Sequence, residues 1–231
     1  DIKNAGPNHR YTVSNVLVHN CGYGGGPNAL IKMGALKMGL IEEELQGTIT
    51  AWRKANPSIT RLWKNVEACA RRAIEIPNHE ADLKSIHPGC PVSVIFKMNG
   101  SNLEITLPST RRLCYVDATV EGDGPYSRIR YSGLDQTTKK WSRQDTYSGR
   151  LVENIIQAIA RDCLAETMLQ IDANHYPIVF HVHDEVIVEV PADDAEDDLR
   201  IIKDIMATPF DWAPGLNLKA EGFCCDFYLK D

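Results

Sequence analysis

The period of hydrophobic and polar positions changes along the chain, and each change marks a different kind of element. Residues 1 to 20 read as β-like: RYTV, a turn at Ser14-Asn15, then VLV. From residue 28 to 76 the period becomes helical. NALIKMGALKMG leads in and EEELQGTITAWRKA follows. Asn56-Pro57 then interrupts, because proline disfavours helix in the residue before it. The next stretch, SITRLWKNVEACARRAIEI, sets Ile59, Leu62, Val66, Cys69 and Ala73 at helical spacing. Residues 91 to 133 turn to strands: VSVIFKM, an NGSN turn, LEITLP, RRLCYVDATV, and YSRIRYS after a Gly-Pro break. Residues 150 to 171 predict one long helix. HYPIVFHVHDEVIVEVP predicts a tight hairpin of two apolar strands, buried and stiff. PADDAEDDLRIIKDIM predicts a helix with its acids in the first turn, where the helix dipole favours them. The tail APGLNLKAEGFCCDFYLKD predicts a short closing strand. The class is α+β, helices first and a sheet-and-helix unit after.

Composition bounds this picture without changing it. The 231 residues are 43% hydrophobic and 24% charged, enough for one large domain or two small ones. A net charge of −6 argues against a generic nucleic-acid coat, which is usually basic. It is compatible with an enzyme that holds metal ions with carboxylates and confines its basic groups to one groove. Seven cysteines without a C-x-x-C suggest neither a zinc site nor a disulfide framework, so a reduced, cytoplasmic protein is expected. No apolar run approaches the ~18 residues of a membrane span. There is no signal peptide, and the chain starts at Asp1 rather than Met, which reads as a fragment or a processed piece.

Two places carry candidate chemistry. In IVFHVHDEVIVEV, His183, Asp184 and Glu185 sit at the turn between two strands. A stiff hairpin holds carboxylates toward a metal ion more precisely than a loop does, and their oxygens suit Mg²⁺. The plain alternative is a polar turn, since Asp is a common turn residue. A rival reading takes His181 and His183 as the metal pair of a hydrolase, with both rings on one strand face; such a site needs more ligands, and no His follows position 183. On the long helix, Arg150, Asn154, Gln157 and Arg161 are spaced 4, 3 and 4 and share one face. Amides and guanidinia in a row suit phosphates, sugars and minor-groove base edges. A solvated surface face is the competing reading.

These features stand in a familiar order. GYGGGPNAL, WRKANPSITRLW, LPSTRRLCY, SGRLVENIIQAIARD, FHVHDEVIVEVP and WAPGLNLKAEGF, covering nearly all of residues 21 to 231, resemble the family A DNA polymerases, most closely their phage and prophage branch. The resemblance implies an incomplete right-hand polymerase fold: a fingers remainder over 21 to 90, including the end of the O helix, then a β-strand insertion and palm over 91 to 231. It implies that Asp184 is the motif C carboxylate of a two-Mg²⁺ site, that Glu185 assists and that His183 contacts the primer terminus. Tyr23 resembles the tyrosine ending motif B, packed at the nascent base pair. Arg150, Asn154 and Gln157 resemble the group touching the primer–template minor groove, with dNTPs as the other substrate. Asn154 precedes Gln157 by three residues where the DNA polymerase I pattern has four, whereas Gln157 and Asp162 align. Motif A, D-x-S-x-x-E, with the second essential carboxylate, has no copy here. The Arg and Lys of motif B belong 12 and 8 residues before Tyr23, at positions held by Tyr11 and Asn15. The chain by itself is therefore not expected to polymerise DNA and needs the N-terminal half of the enzyme. A DNA-binding remnant without catalysis is the alternative.

Residues 1 to 20 fill that gap and resemble the C-terminal end of an intein, a short β piece of the HINT fold. DIKNAGPNHRYTV resembles the penultimate splicing block and NVLVHN-C the last block with the first extein residue. The resemblance assigns Asn20 to succinimide formation, Cys21 to acyl acceptance, and His19 and His9 to acid–base assistance, with Asp1 as a further acid of the block. NVLVHNCGYGGG is then a join, and its glycines mark the end of the O helix rather than a phosphate-cradling loop.

Overall fold

The computed structural model describes residues 11–13, 16–18, 24–32, 34–86 and 91–229. The two short strands fall where the sequence puts them: β1 (Tyr11–Val13) pairs antiparallel with β2 (Val16–Val18), Tyr11 opposite Val18. The helical stretch follows as α1 (Pro27–Lys32), a short 3₁₀ turn at Leu36–Met38, α2 (Glu42–Ala55) and α3 (Pro57–Glu75). Glu42, Glu43 and Glu44 open α2 and Arg53 and Lys54 close it, each complementing the helix dipole at its end. The chain breaks at Asn56, whose side-chain amide donates to the Trp52 carbonyl at 2.8 Å, and Pro57 restarts it from a position where the missing N–H costs nothing. The break folds Trp52 onto Trp63, stacked with centroids 6.1 Å apart.

α3 buries Trp63, Val66, Cys69, Ala70 and Ala73 along one stripe. That stripe meets an antiparallel sheet of six strands in sequential order: β3 (Glu80–Asp82), β4 (Ile95–Asn99), β5 (Asn102–Thr106), β6 (Arg112–Glu121), β7 (Arg128–Leu134) and β8 (Trp141–Thr146). The one-turn helix α4 (Leu83–Ile86) follows β3. Alternation on β5 buries Leu103 and Ile105 and leaves their neighbours half covered. The register of β6 shifts between Val116 and Thr119, and Asp117 there takes φ +50. The long helix α5 (Ser148–Ala173) lies against α3, and its buried residues Leu151, Val152, Ile155 and Ala158 join Val66, Phe96, Leu103 and Ile105 in one core.

Three expectations need correction. β3 and β8 are strands that the sequence reading did not predict: WSRQDT carries no apolar alternation, and its strand character comes from pairing along β7. The tail beyond α6 (Ala195–Met206) contains no strand among its described residues 207–229. The hairpin β9 (Ile178–Val182) and β10 (Glu185–Val188) forms as expected but is not buried. It is a two-stranded sheet of its own, and Val179 is 55% exposed. Apolar composition predicts burial only where a covering surface exists, and here the cover is partial: β9 touches α5, Phe180 meets the Tyr228 ring edge to face at 4.9 Å, and the apolar residues of β10 are half buried. No helix among the described residues is long and apolar enough to cross a membrane.

Phe96, fully buried in this core, sets a direct check of the architecture. Phe96→Ala is expected to cost about 3–5 kcal/mol by lost contacts and cavity formation, read as a lower urea midpoint with an unchanged slope.

Candidate functional site

The glycine turn is anchored rather than open. Gly24 has φ +80, and a Cβ there would sit 3.4 Å from the Tyr147 ring and 3.5 Å from the Gly149 backbone, at the start of α5. Glycine therefore meets both a left-handed backbone and a close approach. Arg53 Nη2 donates to the carbonyls of Gly24 and Gly25, both at 3.4 Å, while its guanidinium lies 5.7 Å from the Trp63 ring centroid. A turn whose carbonyls face an arginine of α2 and whose back meets the start of α5 is an anchor point where α1, α2 and α5 converge. The sequence pattern alone assigns Arg53 no role. Tyr23, and the proposed splicing residues Asp1, His9, His19, Asn20 and Cys21, lie outside the described residues.

The polar row on α5 is real as a row but uneven in what it offers. Arg150 is exposed; it donates to the Asp145 carbonyl at 3.3 Å and lies 6.0 Å from the Tyr147 ring centroid. Asn154 is half buried, and its amide donates to the Tyr115 hydroxyl at 2.8 Å. Gln157 and Arg161 are exposed and have no side-chain partner among the described residues. The free donors of the row are thus Gln157 and Arg161, while Asn154 is tied to the sheet. Tyr115 is only 4% exposed and meets Tyr131 edge to face at 5.0 Å. Burial pushes its hydroxyl up to about 12, and the Asn154 hydrogen bond pulls the other way by favouring the phenolate.

One residue past Arg161, the helix holds a loop. Asp162, whose side chain is 10% exposed, accepts from Arg111 Nε and from Ser109 Oγ, and Arg111 Nη2 donates to the Ala158 carbonyl at 2.8 Å. LPSTRRLCY had no assigned chemistry at the sequence level; no spacing rule pairs residues so far apart in the chain.

The hairpin tip carries His183, Asp184 and Glu185, all exposed, with no side-chain partner among the described residues. His183 has φ +53 and belongs to the turn, while His181 is in β9 opposite Val186. Strand alternation therefore does not carry both rings to one face, which removes the geometric basis of a His181–His183 metal pair. No group of three or more His, Cys, Asp or Glu able to hold a metal is found among the described residues. The structure keeps Arg150, Asn154 and Gln157 together on α5 and His183, Asp184 and Glu185 together on the hairpin. No hydrogen bond or ion pair joins the two groups among the described residues.

The chain is similar to a protein named DNA polymerase from Bacillus phage SP02, with 42% identity over 212 residues, 91% of this chain and 31% of the relative. It thus spans about a third of the length of the curated relative it matches. No family model matches, and no solved structure matches.

The Tyr115–Asn154 pair yields a titration with a definite sign. Tyr115 is raised to about 12 against an unfolded value near 10, so its stabilising effect is full below about pH 10 and is lost as pH rises toward 12. The difference in stability between wild type and Tyr115→Phe, followed by denaturant midpoint across that window, should shrink as pH rises. Asn154→Ala removes the donor to the phenolate and should move the Tyr115 absorbance titration upward; a downward shift contradicts the assigned bond.

Proposed function

We propose that this chain is the C-terminal part of a family A DNA polymerase preceded by the end of an intein, and that it serves template-directed nucleotidyl transfer once splicing joins it to its N-terminal half. The carrying observation is the 42% identity, across 91% of the chain, to a phage protein named DNA polymerase. The matched length, 212 of 231 residues, leaves room for an unmatched piece of the size of residues 1 to 20. The partly covered hairpin supports the same reading, because a two-stranded ribbon that leaves Val179 and Phe180 exposed gains stability by packing on further chain.

Asp184 and Glu185 suit Mg²⁺ by the chemistry of their oxygens and by having no competing partner among the described residues. Two neighbours on one turn are an incomplete donor set, and on this reading the remaining carboxylate comes from the N-terminal half of the enzyme. When bound, Mg²⁺ supplies charge stabilisation for phosphoryl transfer. The chain's own residues then have separable tasks. Asp184 offers the carboxylate, Glu185 supports it and His183, exposed on the turn, reaches the primer terminus. Arg150 and Gln157 donate to minor-groove acceptors, which A·T and G·C pairs both present, so the grip is tolerant of sequence. Asn154 gives one amide hydrogen to Tyr115 and contributes to that face with what remains. Tyr23 packs at the nascent pair with an incoming dNTP.

In splicing, the Cys21 thiol first accepts the upstream acyl group. The Asn20 side-chain nitrogen then closes on the Asn20 carbonyl, forming a succinimide and breaking the bond before Cys21. His19 and His9 move the protons. The incomplete donor set favours one alternative, a DNA-binding remnant that grips primer–template without catalysis.

In the spliced full-length protein, Asp184→Ala should reduce primer extension to background while primer–template binding persists. Retained synthesis would overturn the site, and a wild-type protein that binds DNA without extending it would favour the remnant. For the join, Asn20→Ala should block cleavage before Cys21 when the upstream half is supplied, as read by mass spectrometry. An unchanged product in the variant counts against the intein.

A further inference from the structure

The loop between β5 and β6 is a closed turn in its own right. Thr110 N–H donates to the Leu107 carbonyl at 2.9 Å, Leu107 N–H donates to the Arg111 carbonyl at 2.8 Å, and Thr110 takes φ +72. It nevertheless makes three side-chain bonds to α5, two into Asp162 and one onto the Ala158 carbonyl. Ala158 and Asp162 are four apart and so lie above one another on the helix. Gln157 and Arg161 each precede them by one position, so the loop is docked beside the row formed by these two exposed side chains.

The chemistry of the clamp is specific. A carboxylate nine-tenths buried is costly unless its bonds are complete, and here a guanidinium and a hydroxyl supply them. Arginine serves the carboxylate and a backbone carbonyl at once through its planar fork; a lysine ammonium is a point charge and does not span both in that geometry. Asp162 is too covered to meet a macromolecular ligand, and two nitrogens of Arg111 are already committed. Any effect on a ligand therefore passes through the neighbours.

We propose that Asp162 is a positioning residue for nucleic-acid binding: by holding Arg111 and the Leu107–Arg111 loop against α5, it fixes the direction in which Gln157 and Arg161 present their donors to a duplex. This rests on reading α5 as the DNA-contact helix.

The test uses the spliced full-length protein with Asp162→Asn, Asp162→Ala, Arg111→Ala and Arg111→Lys, the last keeping the charge so that folding is preserved. In each, KM for primer–template should rise about tenfold, the order of one lost nucleic-acid contact, with kcat and the KM for dNTP close to wild type. The double variant Arg111→Ala/Asp162→Ala should be no worse than the worse single, because both act as one unit. A lower Tm with unchanged primer–template KM marks a merely structural clamp and overturns the proposal, as does additivity in the double variant. Wild-type protein that neither binds nor extends primer–template defeats the polymerase reading and this proposal together. A working wild type with indifferent Asp162 variants defeats the positioning role alone.

Discussion

The contact between α3 and α5 over the antiparallel sheet is the constraint on which the described structure depends. α3 buries the small residues Cys69, Ala70 and Ala73, and α5 buries Gly149 and Ala158 among its larger aliphatic residues. Small side chains let helices pack closely, and each lost methylene in such an interior is felt. Because one side of α5 is committed to this core, the opposite side is fixed in direction as well. That is why a row of polar residues on α5 has a definite orientation. Cys69 belongs to the same packing: burial pushes its thiol up to about 11, which keeps it protonated and inert at neutral pH.

Polar bonds around α5 refine what packing fixes. Tyr115 reaches it from β6, Arg111 and Ser109 from the β5–β6 loop, and Asp145 accepts from Arg150 at the end of β8. A single hydrogen bond contributes only about 1 kcal/mol net, so these bonds matter less for stability than for geometry. The exposed charges of β6, β7 and β8 work similarly. Arg143, Arg130 and Thr119 hold Glu121 down to about 2, and Arg130 and Arg128 share Asp145 across strands. In open solvent such a network sets strand register more than it adds free energy.

How much was legible follows from what each signal depends on. The break at Asn56-Pro57, the buried stripe of α3 and the alternation of β5 are local properties of the chain, and they appear where the residues put them. WSRQDT became β8 because a neighbouring strand offers hydrogen bonds and opposite charges, which no window of its own sequence reports. The α5 row was legible as a periodicity, but periodicity is blind to Tyr115, thirty-nine residues away, which claims the Asn154 amide. The hairpin misled in the opposite sense: its apolar residues predict burial, yet burial needs a second surface, and a sequence pattern does not say which polypeptide provides it. Asp184 and Glu185 were legible only as chemistry at a turn, and their relation to the α5 row is not a property of either segment alone.

The partly exposed hairpin has a further physical side. Strands β9 and β10 pair only with each other among the described residues, so each leaves an outer row of backbone donors and acceptors without a strand partner, beside exposed Val179 and Phe180. An apolar edge of that kind templates strand addition from any chain that meets it, which is the molecular start of aggregation. Glu185 and Glu189 then act as gatekeepers, their charges discouraging in-register stacking of identical copies. The carboxylate-bearing tip that chemistry needs and the electrostatic guard that solubility needs are, in this segment, partly the same residues.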